Sequence, residues 1–189
     1  MSEAFATILT GRRLPVRIVA NASDMVAAST GLVLATYTGV LLGATAIPVW
    51  SANARLLPLH FGASGLGSAV SLLEILGHHD RSLNALGIGT ALAESAIAAH
   101  IEVGAGSASG PIRSGHAGRL ARAAGVLSGP VPLVLRLFGG RSRVARRAAA
   151  MSTLAGAILT RAAWVAAGRT PAGGQAIATN SRRIDESVP

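Results

Sequence analysis

The chain has 189 residues, of which 50% are hydrophobic and only 13% are charged. This composition excludes an ordinary soluble domain, because such domains need more charged surface than this chain can supply. The formal net charge is +9 and all 17 basic residues are arginines, but these arginines lie between apolar segments and form no single basic face. We therefore predict an integral membrane protein that contacts membrane lipid and binds no nucleic acid.

Cysteine is absent from the sequence. Its absence excludes disulfides, thiolate metal sites and cysteine-ligated iron–sulfur clusters within this chain. A redox centre held by these residues would need histidine ligands. We predict no metal site and no covalently bound cofactor.

Residues 1–24 are predicted to form an interfacial or cytoplasmic lead-in. Arg12 and Arg13 precede an apolar run, but the strongest apolar run begins only after Ala20-Asn-Ala22, the candidate cleavage site. A cleaved signal peptide needs the opposite order, so we do not expect one. Pro15 is expected to interrupt any helix in this segment.

Five apolar segments follow, and they predict an all-α, polytopic helical bundle with about five transmembrane helices. At about 1.5 Å per residue, such segments can cross a hydrocarbon core of about 30 Å. The predicted spans are 25–50, 56–76, 83–103, 120–138 and 148–167, with a loop at 104–118 and a flexible polar tail at 169–189.

The first span has an uncharged face of small residues. No Asp, Glu, Arg or Lys occurs between Met25 and Ala54. Small residues recur every four positions, which predicts that a second helix approaches this face closely. These residues are Gly31, Ala35, Gly39 and Gly43.

The second span carries five small or polar residues on one side of the helix. Exposing the one carboxyl group among them to acyl chains would cost several kcal/mol, so this stripe should face the bundle interior. The stripe consists of His60, Ser64, Gly67, Ser71 and Glu74. In the turn that follows, His78-His79-Asp80 could ligate a metal, but we favour a solvated loop.

Two of the three acids within the spans lie far from the loop at 104–118, whereas Glu102 lies near the end of the third span. Glu94 is near the middle of the third span and Glu74 is near the end of the second. Ionisable residues at such depth predict proton handling, and the alternative is a protonated carboxyl group hydrogen-bonded to a neighbouring helix. Both readings stay open.

The last two spans carry their basic residues near the ends. The fourth span contains Pro130 and Pro132, and it reaches across the membrane only if Arg122 and Arg136 snorkel at its ends. Arg161 is also expected to snorkel. Trp50 and Trp164 are predicted to lie at the outer interface, and the arginine distribution slightly favours an N-terminus inside.

Several motifs resemble the NrfD, or polysulfide reductase, family of membrane subunits. They are Ala35-Thr-Tyr-Thr-Gly-Val-Leu-Leu, Thr45-Ala-Ile-Pro-Val-Trp50, Asn53-Ala-Arg-Leu-Leu-Pro58, Phe61-Gly-Ala-Ser-Gly65, Gly118-Arg-Leu and Leu159-Thr-Arg161. The resemblance covers residues 35–168, and the chain resembles only the C-terminal half of the family pattern.

The resemblance implies a shortened membrane anchor that exchanges electrons between a quinone and an iron–sulfur partner, usually with a molybdopterin catalytic subunit. The quinone would be menaquinone or ubiquinone. It also implies a prokaryotic cytoplasmic (inner) membrane and a separate chain that supplies the missing first helical bundle. We expect a non-catalytic subunit of an oxidoreductase complex and assign no catalytic residue.

Three residues near the first turn are the quinone-contact candidates. Tyr37 and Asn53 can hydrogen-bond a quinone carbonyl, and Arg55 can lie beside a reduced, negative head group. Each also has a structural use: Tyr37 can pack between helices, Asn53 can cap the second span, and Arg55 can anchor at phospholipid head groups.

Two alternatives belong to other functional classes. His60 and His100 are predicted at similar depth on one membrane side, as the axial ligands of a haem in a small electron carrier would be, although we do not expect haem. The chain could instead be a non-catalytic scaffold or a transporter-like bundle, in which Pro130 and Pro132 break a helix beside a site.

Overall fold

The computed structural model describes residues 3–103 and 110–169, with side chains from Val19 onward. Every regular element in these residues is an α-helix, and five apolar stretches are long enough to cross a membrane. The predicted all-α membrane bundle is therefore confirmed. The helices are α1 Glu3–Gly43, α2 Pro48–Ser51, α3 Leu56–Ile75, α4 Arg81–Val103, α5 Gly110–Arg113, α6 Gly115–Ser128, α7 Pro130–Gly139 and α8 Arg143–Arg169.

The first helix differs from its prediction at both ends. α1 begins at Glu3 and runs through Pro15 without a break, because one proline removes a single N–H donor and a membrane helix can tolerate that loss. The predicted first span reached Trp50, but α1 ends at Gly43. Pro48 instead begins α2 at a position where a missing N–H costs nothing.

The small residues of α1 allow it to pack closely against α3. A Cβ atom at Gly39 would lie 2.7 Å from the backbone of Leu57, and one at Gly43 would lie 2.9 Å from Ala54. Ala35 similarly fills the space above Gly65. The close helix packing predicted from the small-residue spacing is thus found at Ala35, Gly39 and Gly43, whereas no described neighbour comes within 4 Å of a Cβ at Gly31.

Gly39→Ala should destabilise the protein, because the added methyl group overlaps the α3 backbone, which cannot move aside as a side chain can. We expect a loss of about 1–3 kcal/mol in the free energy of unfolding, measured by thermal denaturation in detergent. The matched control is Gly31→Ala, which should be neutral or slightly stabilising because alanine is the better helix former. Equal losses in the two variants would contradict this packing.

The polar stripe of α3 faces the centre of the bundle, as predicted. All five of its residues are buried, where α3 packs against α4 and α8: His60, Ser64, Gly67, Ser71 and Glu74. The buried face of α3 therefore carries polar side chains beside apolar ones, whereas Leu59, Leu66, Leu72 and Leu73 of the same helix face outward.

The fourth span is broken in its middle. α6 ends at Ser128 and α7 begins at Pro130, with Gly129 between them. Because Pro130 and Pro132 have no N–H, the carbonyl groups of Val126 and Ser128 do not receive the usual helical hydrogen bond. Because Ser128 is buried and Val126 is exposed, the break affects one carbonyl group in the interior of the bundle and one on its surface.

Two further segments differ from the predictions. The expected loop at 104–118 contains the short helix α5 and the start of α6, and residues 104–109 lie outside the described part. The predicted polar tail beyond Arg169 also lies outside it. Trp164, expected at the membrane interface, is only 1% exposed, and its carbonyl oxygen accepts a 2.9 Å hydrogen bond from Trp50 Nε1.

Candidate functional site

Glu74 is the centre of a buried ion cluster formed with Arg136 and Arg146. Its carboxylate is 0% exposed. Oε1 accepts hydrogen bonds from Arg136 Nη1 at 2.8 Å and from Arg146 Nη2 at 2.6 Å and Nε at 3.0 Å. Oε2 lies 2.8 Å from Arg136 Nη2. The ion cluster therefore joins α3 to α7 and α8 near one end of the bundle.

Both arginines are buried, which the sequence did not predict. Arg136 was expected to snorkel, but it is 2% exposed and its guanidinium group lies against Gly87, where a Cβ atom would overlap it. Arg146 lies in the arginine-rich start of α8, but it is buried and also donates to the carbonyl oxygens of His79 and Asp80. The reason is the same for both: a buried carboxylate needs a counter-charge.

The surroundings of Glu74 indicate a structural role for the ion cluster. Protonating its carboxylate would leave two buried guanidinium groups without a counter-ion, which is costly in a medium of low dielectric constant. The turn between α3 and α4 contributes its backbone carbonyls to Arg146 and so belongs to the same structure.

Glu74→Gln should strongly destabilise the protein. Removing the carboxylate charge leaves Arg136 and Arg146 buried and uncompensated, so we expect a loss of about 3–5 kcal/mol in the free energy of unfolding. The control is Glu102→Gln, because Glu102 forms an exposed ion pair with Arg122 at 2.7 Å and such pairs contribute little. If the control lost as much stability as Glu74→Gln, the ion cluster would not be the dominant charge contact.

A second buried cluster, the histidine–glutamate pair of His60 and Glu94, lies between α3 and α4. His60 Nε2 is 3.2 Å from Glu94 Oε2, and Trp164 Nε1 is 3.2 Å from His60 Nδ1. Because an indole N–H can only donate, His60 Nδ1 must accept. The ring proton then lies on Nε2, which donates to Glu94. Trp164 thereby fixes the tautomer of His60.

Glu94 lies beside the break between α6 and α7. Its carboxyl group is 2% exposed, and the hydroxyl group of Ser128, the last residue of α6, is 3.0 Å from Oε2. Oε1 has no hydrogen-bond partner among the described residues. Glu94 therefore has a free oxygen atom at which a proton or a water molecule can bind.

An apolar cavity of about 390 Å³ adjoins the histidine–glutamate pair. It lies between α4, α6 and α8, and several small residues line it: Ala98, Ala99, Ala121, Ala124, Gly125 and Ala163. His60 and Trp164 line it on one side, and the exposed Glu102–Arg122 ion pair also contributes to the lining. Its volume falls in the range of about 300–1,000 Å³ typical of small-molecule sites.

Thr160 supplies a polar group to this cavity. Its side chain is 2% exposed, and its hydroxyl oxygen has no hydrogen-bond partner in the described part of the chain. A buried hydroxyl group without a partner is costly. A ligand carbonyl in the cavity could accept its hydrogen bond.

The three quinone-contact candidates from the sequence lie elsewhere. Tyr37 is 55% exposed on α1, Arg55 is exposed, and the side-chain amide of Asn53 donates to Val49 O at 2.7 Å. None of them lines the apolar cavity. Their quinone-contact role stays a prediction.

The haem alternative rested on His60 and His100. His100 is exposed and does not line the cavity, whereas both ring nitrogens of His60 are in hydrogen bonds. His60 would have to lose one of these bonds to ligate iron. No three His, Asp or Glu side chains cluster as metal ligands in the part of the chain that the structure describes.

Comparison with known proteins identifies the family of the chain. Residues 5–173 match the family described as polysulfide reductase, of the NrfD type, a wider stretch than the residues 35–168 that carry the motifs. No curated protein and no solved structure matches the chain. Because the match covers most of the sequence and five helices can span a membrane, the chain belongs to the NrfD polysulfide reductase family of integral membrane proteins.

Proposed function

We propose that the chain is a membrane subunit of a quinone-linked oxidoreductase complex and that its apolar cavity binds the quinone ring. Membership of the NrfD family supports the first part. The observation that carries the second part is a cavity with apolar walls, an adjoining histidine–glutamate pair and a buried hydroxyl group that has no partner among the described residues.

The cavity has the chemistry that a quinone ring needs. A quinone is a flat apolar ring with two carbonyl acceptors, so it needs apolar walls and at least one donor. The Thr160 hydroxyl group is such a donor, and the indole ring of Trp164 offers an aromatic surface for stacking. The small residues of the wall leave room for the ring.

The histidine–glutamate pair provides a place for a proton beside the cavity. A bound quinone takes up two electrons and two protons on full reduction. His60 lines the cavity and also hydrogen-bonds Glu94, so a proton held on the Glu94 carboxyl group is one side chain away from the ring. His60 acts as the positioning residue, and Glu94 accepts and releases one of the two protons, while the other comes from solvent.

We propose that electrons pass between the quinone and partner subunits. With no cysteine in its sequence, this chain cannot hold a cysteine-ligated iron–sulfur cluster. We propose an iron–sulfur subunit and a molybdopterin subunit as partners, a separate chain that supplies a first helical bundle, and a location in the prokaryotic cytoplasmic membrane.

Thr160→Val should weaken quinone binding without disturbing the fold, because valine keeps the shape and removes the donor. In native membranes that contain the complex, we expect photolabelling of the chain by an azidoquinone to need about 3–10 times more quinone. The control is Thr153→Val on the same helix. The Thr153 hydroxyl group is bonded to Ala149 O and does not line the cavity. Labelling that maps to Tyr37, Asn53 or Arg55 instead of the cavity would contradict the proposed site.

Glu94→Gln should separate proton transfer from quinone binding. Glutamine can still accept a hydrogen bond from His60 but cannot take up a proton, so we expect quinone-dependent turnover of the complex to fall by at least about 100-fold. Azidoquinone labelling should stay within about twofold of the parent. A transporter-like role would give a different result: proton flux through liposomes containing this chain alone, abolished by Glu94→Gln, with little change in turnover.

A further inference from the structure

A second cavity lies at the end of the bundle where α4 begins and α7 ends. Its volume is about 590 Å³. Four arginines contribute to its lining and no acidic residue does: Arg81, Arg136, Arg141 and Arg146. We call it the basic cavity.

The charges around the basic cavity are unbalanced. Glu74, behind the wall, is the counter-ion of both Arg136 and Arg146. Arg81 and Arg141 form no ion pair with any acidic residue that the structure describes. The four lining arginines and Glu74 together carry a net charge of +3. In addition, Nε of Arg136, a side chain that is 2% exposed, has no acceptor in the described part of the chain.

The rim of the basic cavity is apolar and faces outward. Phe138 is 87% exposed and Leu137 is 58% exposed, and both line the cavity together with Ile88 on α4. In a membrane helix these exposed side chains contact acyl chains. The cavity thus combines cationic donors with an acyl-chain surface, and a soluble anion would use only the first of these.

We propose that the basic cavity binds the phosphate group of an anionic phospholipid, whose acyl chains lie along Leu137 and Phe138. Arg81 and Arg141 supply charge-assisted hydrogen bonds to the phosphate oxygens, and Arg guanidinium groups match phosphate geometry well. Arg136 and Arg146 would supply positive charge from the wall. This binding site does not depend on the quinone proposal, because it uses other residues at the opposite end of α7 from the helix break.

The test is a lipid titration of the solubilised full chain, followed by native mass spectrometry. We expect phosphatidylglycerol to bind at least about tenfold more tightly than phosphatidylcholine with the same acyl chains, and the double variant R81Q/R141Q to weaken phosphatidylglycerol binding about 100-fold. Both substituted residues are exposed, so the variant should fold, which its melting temperature checks.

The matched control is R143Q/R147Q, which removes the same charge from exposed residues that do not line the basic cavity. It should weaken binding less than about tenfold, since only general attraction to the protein surface is lost. Equal weakening in the two double variants, or equal binding of phosphatidylcholine, would overturn the proposal. Inorganic phosphate that displaces the lipid at the lipid's own binding concentration would identify a site for free phosphate instead.

Discussion

The structure depends on neutralising one carboxylate in a medium that cannot solvate it. Glu74 is buried in the bundle, and two guanidinium groups from α7 and α8 surround it. In a low-dielectric interior, removing either side of such a contact leaves an uncompensated charge, so the three helices must stay together. The ion cluster also orders the turn between α3 and α4, because Arg146 binds two carbonyl oxygens of that turn.

The second buried acid, Glu94, has a different environment. Near the helix break, Glu94 has a neutral histidine and a hydroxyl group as neighbours, and one of its oxygens has no partner among the described residues. The apolar cavity lies beside the histidine–glutamate pair. Glu74 and Glu94 therefore have different environments: Glu74 is held by two arginines, whereas Glu94 lies next to a cavity and has one oxygen atom without a partner among the described residues.

The sequence predicts the spans and the polar face of α3 because hydrophobicity and helical periodicity are local properties. It does not predict the partners of Glu74, since pairing across helices depends on how they pack. A local signal does exist in α8: Arg146, Thr153, Thr160 and Trp164 follow the spacing of one helix face, and all are buried. Reading that periodicity would have placed Arg146 and Thr160 in the interior. The tautomer of His60 could not be predicted, because Trp164 lies 104 positions away.

The most direct test of the proposed role is an electron cryo-microscopy map of the complex purified mildly from its native membrane with its quinone retained. We expect the chain to be bound to an iron–sulfur subunit, with ring density between α4, α6 and α8 and a carbonyl oxygen within hydrogen-bonding distance of the Thr160 hydroxyl group. A map in which the chain has no redox partner, or in which the quinone ring lies outside this cavity, would contradict the account.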